Sequence, residues 1–451
     1  MVRMRRGLAG AVAAVLTAGS VIFGGGFAQA DTGELRCAEP VGREFERASP
    51  EAAGLDAERL DDALAFAAGR NRLNVQVFRY GCLIGEGPSN ELTGPVAWNV
   101  WSVTKSIVSL LAGIAWDQGR LDIDAPIDAY LPPGLGDAAH RAITVENLLT
   151  ETSGLRIGVV TEGITGVIPV DPFSAVQALA LPFDDPPGTE FTYSQRNVDL
   201  LAYVIELAVG ESLQDFAQRE LFGPIGIARE DYYWARDRSG HTYGYAHLMI
   251  PPDDLSRLGL LVANGGRWHG ARIVSEDYLR RAVTPSDTYR CYGYLFWLGA
   301  DCAENPAFLP GDTYSMSGLG LQHVYVIPSL DLLVVWTGVF GVHTTRGVSG
   351  IVQYTEEPAY EFFRQLFAAF HDRPVPDPGQ FVEPPLQVDY SKFFDTEIAL
   401  AVFGLGRYAY PGCDVHACLN IPLSAPFTDA PPGCLLLACV GPDPRTPGIR
   451  E

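Results

Sequence analysis

Apolar residues recur every three to four positions through Leu55 to Gly69 (LDAERLDDALAFAAG), the spacing of one buried helix face. Asn74 to Glu86 (NVQVFRYGCLIGE) carries β-rich runs on either side of Tyr80-Gly81 and predicts two antiparallel strands. Trp101 to Gly119 is strongly apolar, with Gly119 as its stop, and predicts a buried helix. Residues 120 to about 225 read as helices parted by Pro/Gly-rich breaks, notably Asp184-Asp-Pro-Pro-Gly188; Thr144 is placed to cap VENLLT, and Asn197 to Val209 keeps helical periodicity. Pro252 to Ala263 predicts another helix, ended by Asn264-Gly-Gly266. Leu321 to Ile327 and Leu332 to Val339, split by Pro328-Ser-Leu-Asp331, predict a hairpin, and Pro358 to Phe370 an amphipathic helix with aromatic residues on one face. This order predicts an α+β fold: an antiparallel sheet flanked by helices, with an inserted all-helical lobe. The α/β part is expected over 31–119 and 226–372, the helical lobe over 120–225, and a Pro-rich linker with a Cys-rich extension over 373–451.

The two ends change the picture. A basic start (Arg3, Arg5, Arg6), an apolar run from Leu8 to Phe27 and Ala28-Gln-Ala30 predict a secretory signal peptide over residues 1–30. The apolar core is short for a bilayer span and is broken by Gly24-Gly-Gly26, and no later stretch is long and apolar enough to cross. A secreted, extracytoplasmic protein is expected. Cleavage leaves 29 basic against 54 acidic residues, a net charge of −25. Such a surface repels nucleic acid and anionic lipid, so neither is an expected partner. The eight cysteines fit disulfides in an oxidising compartment. Cys291 with Cys302 reads as a local clip and Cys37 with Cys82 as an N-terminal tether. The two C-x4-C pairs at 413/418 and 434/439 leave zinc open as a second reading.

Chemistry concentrates at three places. Of 32 basic residues 30 are arginine, and only Lys105 and Lys392 are lysine. Lysine, unlike arginine, can lose its proton near neutral pH when its pKa is depressed. Ser102-Val-Thr-Lys105 opens the apolar helix, and i,i+3 spacing puts amine and hydroxyl on one face. The positive end of the helix and apolar burial both disfavour an ammonium, so Lys105 can act as base toward Ser102. The other reading of the pair is a capping serine and a snorkelling lysine. Tyr193, in Thr189-Glu-Phe-Thr-Tyr-Ser194 after the Pro/Gly turn, either shuttles a proton or simply packs. In Ser315-Met-Ser-Gly-Leu-Gly320, Gly318 permits close approach of a substrate, and the N–H groups of Leu319 and Ser102 would form an oxyanion hole; a plain β-bulge is the alternative. His241, His247 and His323 show no metal-ligand spacing, so neither metal nor other cofactor is expected. Phe296 and Trp297 suit either the cleft wall or the core.

Five stretches together resemble a known family: WNVWSVTKSIVSLLAG (98–113), GRLDIDAP (119–126), ITVENLLTETSGL (143–155), PGTEFTYS (187–194) and DLSRLG (254–259). They look like the serine β-lactamase and penicillin-binding-protein superfamily, in its class C-like branch with esterases and 6-aminohexanoate-dimer hydrolases. The resemblance covers about 45–372. It implies a β-lactamase/transpeptidase-like fold, Ser102 as acylated nucleophile, Lys105 as base and Tyr193 as proton shuttle, with Gln195, Ser317 and Gly318 at the substrate. Two departures stand out. The family's Tyr-x-Asn is here Tyr193-Ser194-Gln195, and its Lys-Thr-Gly is here Met316-Ser317-Gly318. Loss of that lysine argues against recognising the carboxylate of a penicillin or of a D-Ala-D-Ala tail. A small ester or amide is the expected substrate. A D,D-carboxypeptidase or β-lactamase is the rival enzyme, and an inactive ligand-binding homologue the rival of another class.

Overall fold

The computed structural model describes residues 35–158, 162, 168, 170–299, 302, 306–339, 342–343, 347–348, 357–382, 395–426, 430–434 and 437–439. The segment read as a signal peptide lies outside them. Helix α1 (Ala57–Ala68) begins at Asp56, whose carboxylate accepts the Arg59 N–H. Strands β1 (Arg72–Arg79) and β2 (Cys82–Glu86) follow, joined at Tyr80 and Gly81, both with positive φ. Such a two-residue turn matches the strand twist. Strand β3 (Ala97–Asn99) leads into α2 (Val103–Asp117). Helix α3 (Val145–Leu149) is closed by a capping box between Thr144 and Asn147, and α4 (Gln195–Val209) starts at Ser194. Strands β4 (Tyr233–Trp234) and β5 (Leu248–Ile250) precede α5 (Pro252–Ala263). Strands β6 (Trp297–Leu298), β7 (Tyr314–Gly318), β8 (Gln322–Ile327) and β9 (Leu332–Gly338) and helix α6 (Glu357–Ala368) follow.

The main sheet is antiparallel, in the order β2-β1-β9-β8-β7-β6. It is covered on both faces, and the alternation of side chains sorts them. Val75, Val77, Tyr325, Ile327, Val334 and Trp336 meet α1 and α6 in one apolar cluster. Val324, Val326, Leu333 and Val335 meet α2, α5 and the helical block in the other. Trp336 is fully buried, 5.2 Å from the Phe362 ring. Trp336→Ala is therefore expected to cost about 3–5 kcal/mol in chemical denaturation, since its cavity lies between a strand and a helix that cannot both close on it.

The eight cysteines pair as 37–82, 291–302, 413–418 and 434–439. Both expected bridges form, and the C-x4-C pairs close on themselves. The extension is not separate from the rest. The Tyr410 hydroxyl accepts the Gly136 N–H (2.9 Å), and Arg238 donates to the carbonyls of Val415 and Ser424 (both 2.7 Å). Strand β10 (Ala438–Cys439) then pairs with β3, edging a second sheet of order β10-β3-β5-β4. Among the described residues no helix is long and apolar enough to cross a membrane.

Candidate active site

Ser102 stands half-buried at the start of α2, and the residue before it is bent: Trp101 has φ +49°, a conformation that costs a non-glycine residue energy. The Asn99 carboxamide oxygen accepts the Trp101 N–H (2.9 Å), and the Val100 N–H donates to Leu248 (3.0 Å). These bonds hold the kink that presents Ser102 at the helix end, where the Val103, Thr104 and Lys105 N–H groups donate back to Val100 O (3.1 Å), Trp101 O (3.0 Å) and Ser102 O (3.0 Å).

Lys105, one turn on, is 1% exposed. Its amine donates to the Gln195 side-chain oxygen and lies 4.6 Å from the ring centre of Tyr193 and 5.3 Å from that of Tyr245. Burial pushes its pKa down to about 8, against the opposing pull of Glu151, Glu162 and Asp199. About a tenth of the amine is thus free at pH 7, far more than for an ordinary lysine. Gln195, which stands in sequence where the Tyr-x-Asn pattern has Asn, thus acts toward the lysine as an acceptor.

Tyr193 is half-buried, with Trp297 at 5.6 Å and Tyr292 at 6.2 Å between ring centres. Phe191 stacks on Tyr289 at 4.5 Å beside them. Trp297 therefore belongs to this aromatic wall, while Phe296 is wholly core. The loop behind it is pinned to α2 and α3: the Ser106 hydroxyl donates to Leu295 O (2.6 Å), and the Leu295 N–H to Leu149 O (3.0 Å).

Strand β7 closes the other side. A Cβ on Gly318 would lie 2.2 Å from Val100 O and 3.2 Å from Ser102 N, so only glycine lets the strand run this close to the turn that carries Ser102. Leu319, half-buried, follows directly. The turn after it is held from below by the buried Arg72 guanidinium, which donates to Gly320 O (2.9 Å) and Leu321 O (2.6 Å). The Ser317 hydroxyl is 3.0 Å from His323 Nδ1 and 3.3 Å from the Ser315 hydroxyl, and the residue is 3% exposed. Met316 is buried in the core.

Glu151, Glu162 and Tyr245 were not singled out from sequence. The Ser194 N–H donates to Glu151 Oε2 (2.8 Å) and the Gln195 N–H to Glu162 Oε2 (2.7 Å), so two buried carboxyls hold the first turn of α4. The one hint was an acid in ITVENLLTETSGL beside small and apolar residues. Among the described residues no cluster of three or more His, Cys, Asp or Glu is placed to hold a metal ion. A cavity of about 450 Å³ between Glu146, Thr152, Arg280 and Tyr294 is lined by none of the groups above.

The β-lactamase family profile matches residues 66–338. The chain belongs to the β-lactamase family. Within this family it is 24% identical over 261 residues to the 6-aminohexanoate-dimer hydrolase of Paenarthrobacter ureafaciens, covering 52% of this chain and 64% of that enzyme. It is 33% identical over 141 residues to esterase EstB of Burkholderia gladioli, covering 28% and 36%. Each alignment spans less than two thirds of the relative. Among solved structures, EstCE1, a hydrolase with promiscuous acyltransferase activity, superimposes with TM-score 0.53 at 18% identity over 69% of this chain and 98% of that one. The β-lactamase fold anticipated from the motifs is thereby established, as is membership of a serine hydrolase family with esterase and 6-aminohexanoate-dimer hydrolase relatives.

Proposed function

We propose that this protein is an extracytoplasmic serine hydrolase that cleaves a small ester or amide through an acyl-enzyme on Ser102. The Ser102 oxygen attacks the substrate carbonyl carbon while its proton passes to Lys105. The tetrahedral oxyanion is held by the N–H groups of Ser102 and Leu319. Tyr193 relays the proton to the leaving oxygen or nitrogen, the bond to that atom breaks, and the acyl group remains on Ser102. Water then repeats the sequence in reverse and frees the acid. Gln195, Ser317 and Gly318 border the substrate, Ser317 through its backbone, since its hydroxyl turns to His323 on the other face of the sheet.

The observation that carries this reading is the buried Lys105 amine, its pKa lowered, next to Tyr193 and one turn from Ser102. The aromatic wall of Phe191, Tyr193, Tyr289 and Trp297 favours an apolar acyl or leaving group. Met316, where the family carries lysine, favours an uncharged one. The four disulfides suit the extracytoplasmic part of the proposal.

The test is rapid mixing with p-nitrophenyl butyrate, followed by intact mass and peptide mapping. One p-nitrophenol per chain in the burst and a butyryl increment on the peptide carrying Ser102 are expected, with no adduct from benzylpenicillin at the same concentration. Stoichiometric penicilloylation without ester turnover would favour the peptidase or β-lactamase reading. No adduct with either, or one on another residue, refutes the proposal.

A further inference from the structure

We propose that Glu151 is a positioning residue that sets the charge of Lys105 while tying Tyr193 and Gln195 to it. The inference rests on the reading of Lys105 as base and extends it. Glu151 is fully buried with φ +56°, at the end of the segment that follows α3. Its Oε2 accepts the Ser194 N–H (2.8 Å) and the Asn197 side-chain N–H (3.2 Å), so it grips the chain directly after Tyr193. Its Oε1 is buried with no hydrogen-bond partner. An ionised carboxylate with one oxygen bare inside a protein is costly, and a proton relieves that cost.

The neighbouring cation does not neutralise it by contact. Among the described residues Lys105 makes no ion pair within 4.0 Å, and its amine turns to the neutral Gln195 oxygen. Arg196, the other buried cation here, is engaged with Asp171 (2.5 Å) and Asp199 (3.6 Å). The groups that face Lys105 are thus Tyr193 and Gln195 at the start of α4, Tyr245 from the segment before β5, and the carboxyls of Glu151, Glu162 and Asp199. Of these acids, Glu151 exerts the largest pull on the lysine. Burial pushes the Glu151 carboxyl up to about 8, into the range where Lys105 itself titrates.

The consequence follows from charge alone. An ionised Glu151 favours the ammonium; a protonated one favours the free amine. Moving one proton from Lys105 to Glu151 leaves the net charge of the site unchanged and turns the lysine into a base. As pH falls, protonation of Glu151 withdraws the negative charge that would otherwise hold Lys105 as ammonium.

Glu151→Gln removes the charge but keeps an oxygen for the Ser194 N–H. Only two lysines are present, so ¹³Cε-lysine NMR with Lys392→Arg as the assignment control reads Lys105 directly, without catalysis. The Lys105 midpoint and the acid limb of kcat/KM are expected to fall together by about one pH unit, a tenfold change in free amine below the limb. Glu151→Asp should leave both near the parent values. A purely structural role moves kcat or stability but neither midpoint, and an unchanged midpoint in Glu151→Gln overturns the proposal. Should that variant not fold, the parent signal decides: a two-step curve that persists in Asp199→Asn supports the proposal, and a single step, or a second step lost in Asp199→Asn, refutes it. Failure of the ester burst in the parent, with the NMR shift intact, would count against the hydrolase reading instead.

Discussion

Ser102→Ala is expected to reduce kcat/KM toward p-nitrophenyl butyrate by on the order of 10⁴–10⁶-fold, and Lys105→Met by about 10³-fold, in stopped-flow assays. The two losses have different causes. The first removes the atom that becomes acylated, so the intact-mass increment disappears outright. The second leaves the hydroxyl but takes away the group that accepts its proton, and the increment should still form, slowly. Because the two residues work on one proton, the double variant should be little worse than Ser102→Ala alone. The pH profile follows with a defined sign. Burial lowers the Lys105 pKa to about 8, and only the free amine accepts a proton, so kcat/KM rises with pH and levels off above about 8. In Lys105→Met that limb should vanish. Equal turnover in Lys105→Met and the parent across pH 6–9 would remove the basis of the mechanism.

Gly318→Val is expected to approach Lys105→Met in its damage, although the residue contributes no side chain. The added Cβ would lie 2.2 Å from the Val100 carbonyl oxygen and 3.2 Å from Ser102 N, and both are backbone atoms. Strand β7 must therefore draw back, taking the Leu319 N–H with it. Loss of one oxyanion donor costs about 10²–10³-fold in kcat, and the strain about 1–3 kcal/mol in stability. KM should change far less than kcat, because the donor acts on the tetrahedral state rather than on bound substrate. Gly311→Ala is the control: nothing lies within 4 Å of its Cβ position, and activity should stay within a factor of two of the parent, a surface change of under about 0.5 kcal/mol. A Gly318→Val enzyme with parental kcat would exclude the Leu319 N–H from the oxyanion hole.

Much of the scaffold follows from local pattern. The hairpins at 72–86 and 322–338 and the helices at 57–68, 103–117, 195–209, 252–263 and 357–368 come from periodicity, caps and turn residues that act within a few positions. The Ser102/Lys105 pair was legible for the same reason, since one helical turn fixes their relation wherever the helix goes. Met316 was legible as a departure from the family pattern. The extension was not: Ala438–Cys439 is too short to show a period, and its place on β3 is set by a partner strand more than 300 residues earlier.

What the sequence determined by itself was therefore the elements, the family and the placing of Ser102 and Lys105 on one helical turn, because these rest on interactions along the chain. What tertiary structure alone decided was the company Lys105 keeps. Glu151, Glu162, Gln195 and Tyr245 come from four separate segments and meet only when the core closes around α2. Burial is a property of that closure, not of any residue, and it is burial that pushes the Lys105 pKa down and the Glu151 pKa up.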